Sequence, residues 1–385
     1  MIFKLIGQEQ IAEQLRTLVK NERIGSAYLF TGPEGSGKTS MALNLAAMLL
    51  CTETKNGCAC GTCSSCTRMT HMNHPNFHLL HVTPRAKNPS ENDPFQNLSE
   101  SDFALIREER EKLGADPYAG IQIPGANNIL ISAIRHIKKD LAMKPAEAGR
   151  QIVLIHRVDL CTSEAFGSLL KVLEEPPSRT TFILTADISD VVPDTIRSRC
   201  QILKFNPVPE GPIIEYIRSR KRDEAEALRI AGLCAGNIRR ADLLLESDFS
   251  DVDTELLNFW RMMMGSQIDG KWVTMADVSQ LIEDYTKIRK NDPSLFRDHL
   301  RFMIFWLRDA QLLAADPEAG GRLINTHLTY ELERFVNFYK DFPYTKMIRL
   351  IEDTMRDADR NLYVPALMGK LFVELRNAFL ETRKR

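Results

Sequence analysis

Gly32-Pro33-Glu34-Gly35-Ser36-Gly37-Lys38-Thr39 is the stretch of this 385-residue sequence that decides the fold. It follows an apolar run, Ala27-Tyr28-Leu29-Phe30, and precedes a second apolar run from Met41 to Leu50. A strand, a Gly-rich loop ending in Lys-Thr and a helix are typical of a phosphate-binding loop, because the glycines let successive backbone N–H groups face a phosphate. The pattern therefore predicts a nucleotide site.

The side chains and backbone of this loop have different expected roles. Lys38 is expected to reach the β- and γ-phosphates, and the Thr39 hydroxyl is expected to bind Mg²⁺. The positive end of the following helix favours the same anion. The predicted site for ATP or ADP is completed by Gly32, Pro33, Glu34, Gly35, Ser36, Gly37 and Ser40. Binding does not by itself imply hydrolysis, and an ordinary Gly-rich turn after a strand is the alternative interpretation.

The overall charge gives no reason to expect the whole molecule to attract nucleic acid or a membrane. The formal net charge is -1, so any contact with DNA must come from a local patch or from partner subunits. No segment reaches the length of a membrane span, and Met1-Ile2-Phe3-Lys4 lacks a basic stretch followed by an apolar signal core. We therefore expect a cytoplasmic protein with no membrane partner.

The cysteines are concentrated in one segment. Five of the eight lie between Cys51 and Cys66, and four of them form the pattern C-x8-C-x2-C-x2-C, with Cys58 left over. Four thiolates at this spacing can surround one tetrahedral Zn²⁺, which leaves no open position for catalysis. The predicted ligands of this structural zinc are Cys51, Cys60, Cys63 and Cys66. Free thiols in a flexible loop are the alternative.

Beyond the cysteines, apolar strand patterns alternate with helical patterns. Strands are predicted at 151–158, 182–185 and 201–205, and alternation with helices implies a parallel sheet covered on both faces. We predict an α/β nucleotide-binding domain over 1–206, with a zinc knuckle at 51–66 and a surface insertion at 84–125 to which no function is assigned. A small helical lid is predicted at 207–247 and an all-α domain at 248–385, with one long helical pattern at 346–381.

Two further motifs carry a family resemblance. They are Leu169-Leu170-Lys171-Val172-Leu173-Glu174-Glu175-Pro176-Pro177 and Ser198-Arg199-Cys200. Together with the phosphate loop and the cysteine cluster, they resemble the bacterial clamp-loader family of AAA+ proteins, and within it the delta-prime type of DNA polymerase III subunit. The resemblance covers residues 1 to about 245, and the remainder matches only as a helical region that suits the family's oligomerising collar.

The resemblance implies a set of partners and two arginine roles. The family forms a pentameric loader that places a sliding clamp on primed DNA, so the implied partners are gamma/tau-type ATPases, the delta subunit, the clamp, and DNA through the complex. Arg199 matches the arginine finger that points at ATP in a neighbouring subunit, although an ordinary ion pair is the alternative. Arg239 matches the sensor-2 arginine, although Arg240 adjoins it and a helix-capping role is also open.

One departure from the family pattern bears on catalysis. An ATPase of this family ends the strand after the cysteine region with Asp-Glu, which hold Mg²⁺ through water and polarise the attacking water. Here the apolar run is followed by His156-Arg157, and Asp159 lies too far along to be expected as a substitute. The sensor-1 position stays open among Thr185, Ala186 and Asp187.

Three hypotheses follow. The first is a clamp-loader subunit that binds nucleotide, hydrolyses it poorly or not at all, and supplies Arg199 to its neighbour. The second is an active gamma/tau-type ATPase, which the intact Lys38 and Thr39 favour and His156-Arg157 disfavour. The third is an unrelated phosphate-loop regulator with a zinc knuckle, which requires the motifs at 169–177 and 198–200 to be coincidences.

Overall fold

The structure, a computed structural model, describes residues 1–84, 90, 92–143, 147, 149–220, 222, 224–246, 250–264, 267–268, 271–272, 274–291, 293–339, 341–359 and 362–382. The chain separates into two compact units. The first unit comprises Met1–Tyr216 and Cys234–Asp242, and the second comprises Ile217–Leu233 and Leu243–Arg385. The three-domain division at 206 and 247 stays a prediction, and residues 85–89 and 91 of the predicted insertion lie outside the described residues.

The first unit is built on a five-stranded sheet. Its strands are β1 (Ala27–Thr31), β2 (Phe77–Leu80), β3 (Gln151–Ile155), β4 (Thr180–Ala186) and β5 (Gln201–Lys204). They lie in the order β2-β3-β4-β1-β5, and every neighbouring pair is parallel. In the centre of the sheet, Leu29 of β1 lies opposite Leu184 of β4 and Ile202 of β5. The predicted parallel sheet is confirmed.

Helices cover both faces of this sheet. The helices up to β5 are α1 (Glu9–Lys20), α2 (Lys38–Leu50), α3 (Ser64–Thr70), α4 (Glu100–Ala115), α5 (Ile131–Ala142), α6 (Ser163–Glu174) and α7 (Asp194–Arg197). Successive strand side chains point to opposite faces. Phe30 therefore joins one buried cluster with Leu15 of α1. Leu29 joins a second cluster with Leu169 of α6. The predicted two-sided covering of the sheet is confirmed.

Two strands differ from the sequence-based expectation. Strand β2 was not predicted, because its four residues include a histidine and give too short an apolar pattern. Strand β3 ends at Ile155, not at residue 158, because Arg157 has a positive φ of 61° and Val158–Leu160 form a turn of 3-10 helix. The chain therefore turns sharply at the edge of the sheet, which places Arg157 beside the ends of the neighbouring strands.

The described part of segment 84–125 packs closely with the first unit. Helix α4 begins with a capping box between Ser99 and Asp102. Ile106, Leu113 and Tyr118 are buried. Because Tyr118, three residues beyond the end of α4, is buried, this part of the segment is held against the body of the unit.

The remaining helices have 8 to 11 residues up to residue 245, and most of those beyond it are longer. They are α8 (Glu210–Ser219), α9 (Glu224–Cys234), α10 (Ile238–Leu245), α11 (Ser250–Met264), α12 (Met275–Asn291), α13 (Pro293–Ala315), α14 (Thr329–Phe338), α15 (Tyr344–Asp359) and α16 (Val364–Thr382). Two antiparallel strands of two residues each, β6 (Gln267–Ile268) and β7 (Lys271–Trp272), lie between α11 and α12. The second unit buries stacked Trp260 and Trp306, with ring centroids 5.2 Å apart. The prediction of a largely helical region is confirmed, whereas the β6–β7 strand pair was not predicted for the expected all-α domain.

The helical pattern at 346–381 is divided into α15 and α16. Pro365 lies at the start of α16, where a missing N–H costs nothing, and proline disfavours helical backbone at the residue before it. No helix within the described ranges is both long and apolar enough to cross a membrane.

The central strands give a stability prediction. Leu154→Ala in β3 removes a fully buried side chain and is expected to destabilise the first unit by about 2–5 kcal/mol. Ile202→Ala in β5 is the control, because Ile202 is 41% exposed and its loss is expected to cost about 0.5 kcal/mol or less. Urea unfolding followed by circular dichroism measures both. Equal losses in the two variants would contradict the assigned positions.

Candidate functional site

The ends of three neighbouring strands meet at one edge of the sheet. Strand β1 leads into the phosphate loop, β3 into His156, and β4 into Asp187. Because β4 lies between β1 and β3 and all three are parallel, their carboxyl ends bring these loops together. A pocket opens here, lined by Glu34, Gly35, Gly37, Lys38, Thr39, Val82, Pro117, Tyr118, Gly120, Ile121, His156, Arg157, Leu160, Asp187 and Arg239.

The glycines of the loop are required by its close contacts. Gly35 has a φ of 70°, and a Cβ atom there would lie 1.8 Å from Asn237 Oδ1. Gly37 has a φ of 92° and directly precedes α2. A side chain at either position would strain the backbone, because this region of φ favours glycine. The loop is therefore held in a shape that exposes its N–H groups at the start of α2.

Lys38 is buried and paired. Its side chain is 4% exposed, and Nζ lies 2.8 Å from Asp187 Oδ1. Nζ also donates to the carbonyl oxygen of Pro33 at 2.6 Å. Burial lowers the pKa of Lys38, while the neighbouring Asp187 carboxylate acts in the opposite direction. The lysine expected to bind phosphate is thus already bound to an anionic group.

Arg157 binds the same carboxylate from the other side. Its Nη1 lies 2.6 Å from Asp187 Oδ2, and its Nη2 lies 2.9 Å from Asp159 Oδ2. The backbone N–H of Arg157 donates to Thr185 Oγ1 at 3.0 Å, which fixes the turn. Burial disfavours the charged guanidinium, but Asp159 and Asp187 outweigh it and raise the pKa of Arg157. Two cations and two carboxylates therefore form one continuous ion network.

His156 contacts Thr39, the second loop side chain with an expected role. Its Nδ1 lies 3.3 Å from Thr39 Oγ1. Burial, reinforced by the positive charges of Arg157 and Lys38, lowers the pKa of His156 to about 4. The imidazole is therefore neutral near pH 7, so the hydroxyl predicted to bind Mg²⁺ faces a neutral ring.

The acidic side chains at the pocket do not fit the expected Mg²⁺ site. In nucleotide sites Mg²⁺ is held by one or two carboxylates, by the phosphates of the substrate and by water. Among the described residues, the carboxylates lining the pocket are Glu34 and Asp187, and each is held by a cation. Asp159 was not expected to replace the missing acids, and its side chain is 1% exposed and bound to Arg157.

Arg239 lies at the phosphate loop within the first unit. Its Nη1 donates to Glu34 Oε1 at 2.8 Å. The capping contact at the start of α10 is made by Asn237, whose Oδ1 accepts from the Arg240 N–H at 3.1 Å. The structure thus brings Arg239 to the pocket, while the capping role open for it in the sequence falls to Asn237.

Arg199 is not among the described residues that line this pocket. Its Nη2 is 2.6 Å from Glu174 Oε1, and its Nη1 donates to the carbonyl oxygen of Thr195 at 2.9 Å. The side chain is 36% exposed, and among the described residues it does not line the pocket. The motif at 198–200 and the motif at 169–177 therefore contact each other through this ion pair.

Part of the pocket wall was missed in the sequence. Pro117, Tyr118, Gly120 and Ile121 come from the segment to which no function was assigned. The hydroxyl oxygen of Tyr118 accepts from the Ile6 N–H at 3.0 Å, which ties this wall to the N-terminal segment. The available signal was an aromatic residue between Pro117 and Gly120 in a stretch without strong apolar periodicity.

The four predicted zinc ligands lie together. Their Sγ atoms all lie within 4.8 Å of one another. The Sγ–Sγ distance is 3.9 Å for Cys51–Cys63 and 3.9 Å for Cys60–Cys66. Tetrahedral zinc with bonds of about 2.3 Å places sulfurs roughly 3.8 Å apart, so the donor set fits Zn²⁺. Backbone N–H groups also point at the sulfurs, as between Cys63 N and Cys60 Sγ at 3.3 Å.

Comparison with known proteins gives a consistent set of similarities. The sequence profile of the family described as DNA polymerase III, delta subunit, matches residues 7–209. DNA polymerase III subunit tau of Bacillus subtilis is 26% identical over 339 residues, covering 83% of this chain and 51% of that protein. Protein STICHEL-like 1 of Arabidopsis thaliana is 31% identical over 250 residues, covering 63% of this chain and 19% of that protein. The matches thus span about half or less of these relatives.

One solved structure also aligns along most of the chain. It is a DNA polymerase III gamma subunit-related protein of Thermotoga maritima, with 17% identity and a TM-score of 0.40. The alignment covers 95% of this chain and 99% of that one.

The cysteine cluster gives a metal prediction. The purified protein is expected to contain about one zinc per chain, and Cys63→Ser with Cys66→Ser is expected to lose it and to lower local stability while nucleotide binding persists. Cys58→Ser is the matched control and is expected to keep the metal, since Cys58 lies outside the cluster. Elemental analysis measures the content. An unmodified protein without zinc would contradict the assignment.

Proposed function

We propose, since the chain belongs to the family described as DNA polymerase III, delta subunit, that it is a clamp-loader subunit which binds ATP or ADP and hydrolyses it poorly. Membership follows from the family match over residues 7–209, and the fold agrees with an AAA+ phosphate-loop domain followed by helices. In this role the chain helps to place a sliding clamp on primed DNA in the cytoplasm, together with gamma/tau-type ATPases and delta.

Weak hydrolysis is proposed because of the pair of side chains at the end of β3, His156 and Arg157. Hydrolysis of ATP needs a group that orients or deprotonates the attacking water. Arg157 cannot accept a proton near neutral pH. His156 has a pKa lowered to about 4 and is therefore a weak proton acceptor. The two acidic groups nearby, Asp159 and Asp187, are both bound to Arg157.

Nucleotide binding is supported by the intact loop. The N–H groups at the start of α2 and the buried Lys38 provide donors for phosphate oxygens. In the proposed state Arg239 moves from Glu34 to the nucleotide and reports its presence. The zinc knuckle acts as a structural support next to α2, since Cys51 directly follows the last residue of that helix.

Arg199 is proposed to act on the neighbouring subunit. A guanidinium suits this role because it stays charged and spreads several donors over the developing phosphate charge. Its exposure and its absence from the described lining of the chain's own pocket support action in trans. In this proposal Glu174 holds the guanidinium until the neighbour's ATP attracts it.

A second candidate function is an active gamma/tau-type ATPase. The intact Lys38 and Thr39 favour it, as does the similarity to tau of Bacillus subtilis and to gamma of Buchnera aphidicola, the latter 28% identical over 249 residues. This candidate requires a proton acceptor and a metal site that the pair His156-Arg157 does not provide.

Turnover by the isolated chain separates the two candidates. We expect the purified protein to bind ADP and ATP but to release phosphate at close to the uncatalysed background rate, because the acidic pair is missing. Lys38→Ala is expected to abolish binding and to leave this low rate unchanged. Brisk phosphate release by the isolated chain that Lys38→Ala eliminates would instead establish the active ATPase.

Arg199→Ala tests the action in trans. In a loader assembled with gamma/tau-type ATPases and delta, hydrolysis at the site that Arg199 faces is expected to fall by about 10³-fold or more, while the chain's own nucleotide affinity stays the same. Arg197→Ala is the control, because Arg197 is similarly exposed at 38% and pairs with Asp194. Phosphate release in the presence of clamp and primed DNA is measured. Equal turnover in the two variants would refute the finger.

A further inference from the structure

Two cations of the pocket hold the carboxylate of Asp187 between them, so the carboxylate marks a place where an anionic group can bind. Its Oδ1 lies 2.8 Å from Lys38 Nζ, and its Oδ2 lies 2.6 Å from Arg157 Nη1. Lys38 is the phosphate-binding lysine of the loop, so Arg157 reaches the same small volume as that lysine. A phosphate group offers the same kind of oxygens to both donors.

Asp159 fixes the orientation of the Arg157 side chain. Its Nε lies 3.1 Å from Asp159 Oδ1, and its Nη2 lies 2.9 Å from Asp159 Oδ2. The Asp187 N–H donates to Asp159 Oδ1 at 3.4 Å, so the same carboxylate also braces the end of β4. Because Asp159 binds the inner edge of the guanidinium, Nη1 remains directed at the pocket.

The charges around the pocket favour an anion over a metal ion. The lining side chains include three cations, Lys38, Arg157 and Arg239, against two carboxylates, Glu34 and Asp187. Both carboxylates are engaged with these cations. With Asp159 behind Arg157 counted, these cations and carboxylates balance, so a divalent cation finds each carboxylate already held by a cation, whereas a polyphosphate can replace Asp187 between Lys38 and Arg157.

We propose that the pocket binds metal-free nucleoside di- or triphosphate, with the Arg157 guanidinium neutralising the phosphate oxygens that Mg²⁺ neutralises in a hydrolysing ATPase. The phosphate displaces Asp187 from its place between Lys38 and Arg157, and Asp159 keeps Arg157 oriented. This inference rests on the proposed nucleotide binding and deepens it, because it names the charge state of the ligand and the residue that selects it.

The test compares nucleotide affinity with and without Mg²⁺. The full chain is titrated with a fluorescent ADP in buffer freed of metal by a chelating resin, and again with excess Mg²⁺. A soluble chelator is avoided because it would also attack the cysteine cluster. The wild-type Kd is expected to differ by less than about threefold between the two conditions, since the guanidinium supplies the positive charge.

The variant Arg157→Gln with Asp159→Asn isolates the role of the guanidinium. Both charges of the inner pair are removed together, so no buried charge is left without a partner. Metal-free binding is expected to weaken by roughly 10- to 100-fold, the value of one charge-assisted hydrogen bond. Arg23→Gln is the control, because Arg23 is exposed and outside the pocket lining, and its Kd is expected to stay unchanged. Arg157→Lys, which keeps the charge, is expected to bind with intermediate affinity.

Each contrary outcome has a distinct meaning. If excess Mg²⁺ lowers the wild-type Kd for ADP tenfold or more, this inference is overturned and the proposed nucleotide site is left intact. A double variant that binds metal-free ADP as tightly as the wild type would overturn the role of Arg157. Absence of binding in both conditions would overturn the inference together with the proposed nucleotide binding.

Discussion

The shared carboxylate of Asp187 is the contact on which the account of this site depends. Lys38 is buried beside the phosphate loop, and a buried ammonium is costly unless an anionic group compensates it. Asp187 provides that compensation, and Arg157 joins it from the end of β3. The parallel order of β1, β4 and β3 makes this convergence possible, because the three carboxyl ends lie side by side.

Under the proposed function, the same network accounts for a chain that keeps a phosphate loop and hydrolyses nucleotide poorly. In an ATPase that hydrolyses its nucleotide, acidic side chains at the end of the equivalent strand hold a metal and activate water. Here it supplies a neutral imidazole and a guanidinium, which bind anions or hydroxyls but do not accept protons at neutral pH. In the proposed function, nucleotide is a ligand that orders the pocket, and Arg199 contributes to hydrolysis at another subunit.

The sequence predicted the features that depend on local pattern. The strand, Gly-rich loop and helix around residues 32–39, the two-sided sheet and the cysteine cluster follow from spacing and apolar periodicity, and all are present in the structure. Strand β2 was missed because four residues are too few for a periodic signal. The early end of β3 was missed because arginine rarely adopts a positive φ, so residue type gave no warning. The Asp187 network and the Tyr118 wall join residues far apart in sequence, and only the fold brings them together.

A crystal structure of the chain with ADP or a non-hydrolysable ATP analogue, grown in the presence of Mg²⁺, tests the central claim most directly. We expect phosphate oxygens within hydrogen-bonding distance of both Lys38 Nζ and the Arg157 guanidinium, with Asp187 turned away and no metal between them. A hydrated Mg²⁺ on Thr39 and the phosphates, with Arg157 still bound only to Asp159 and Asp187, would contradict it.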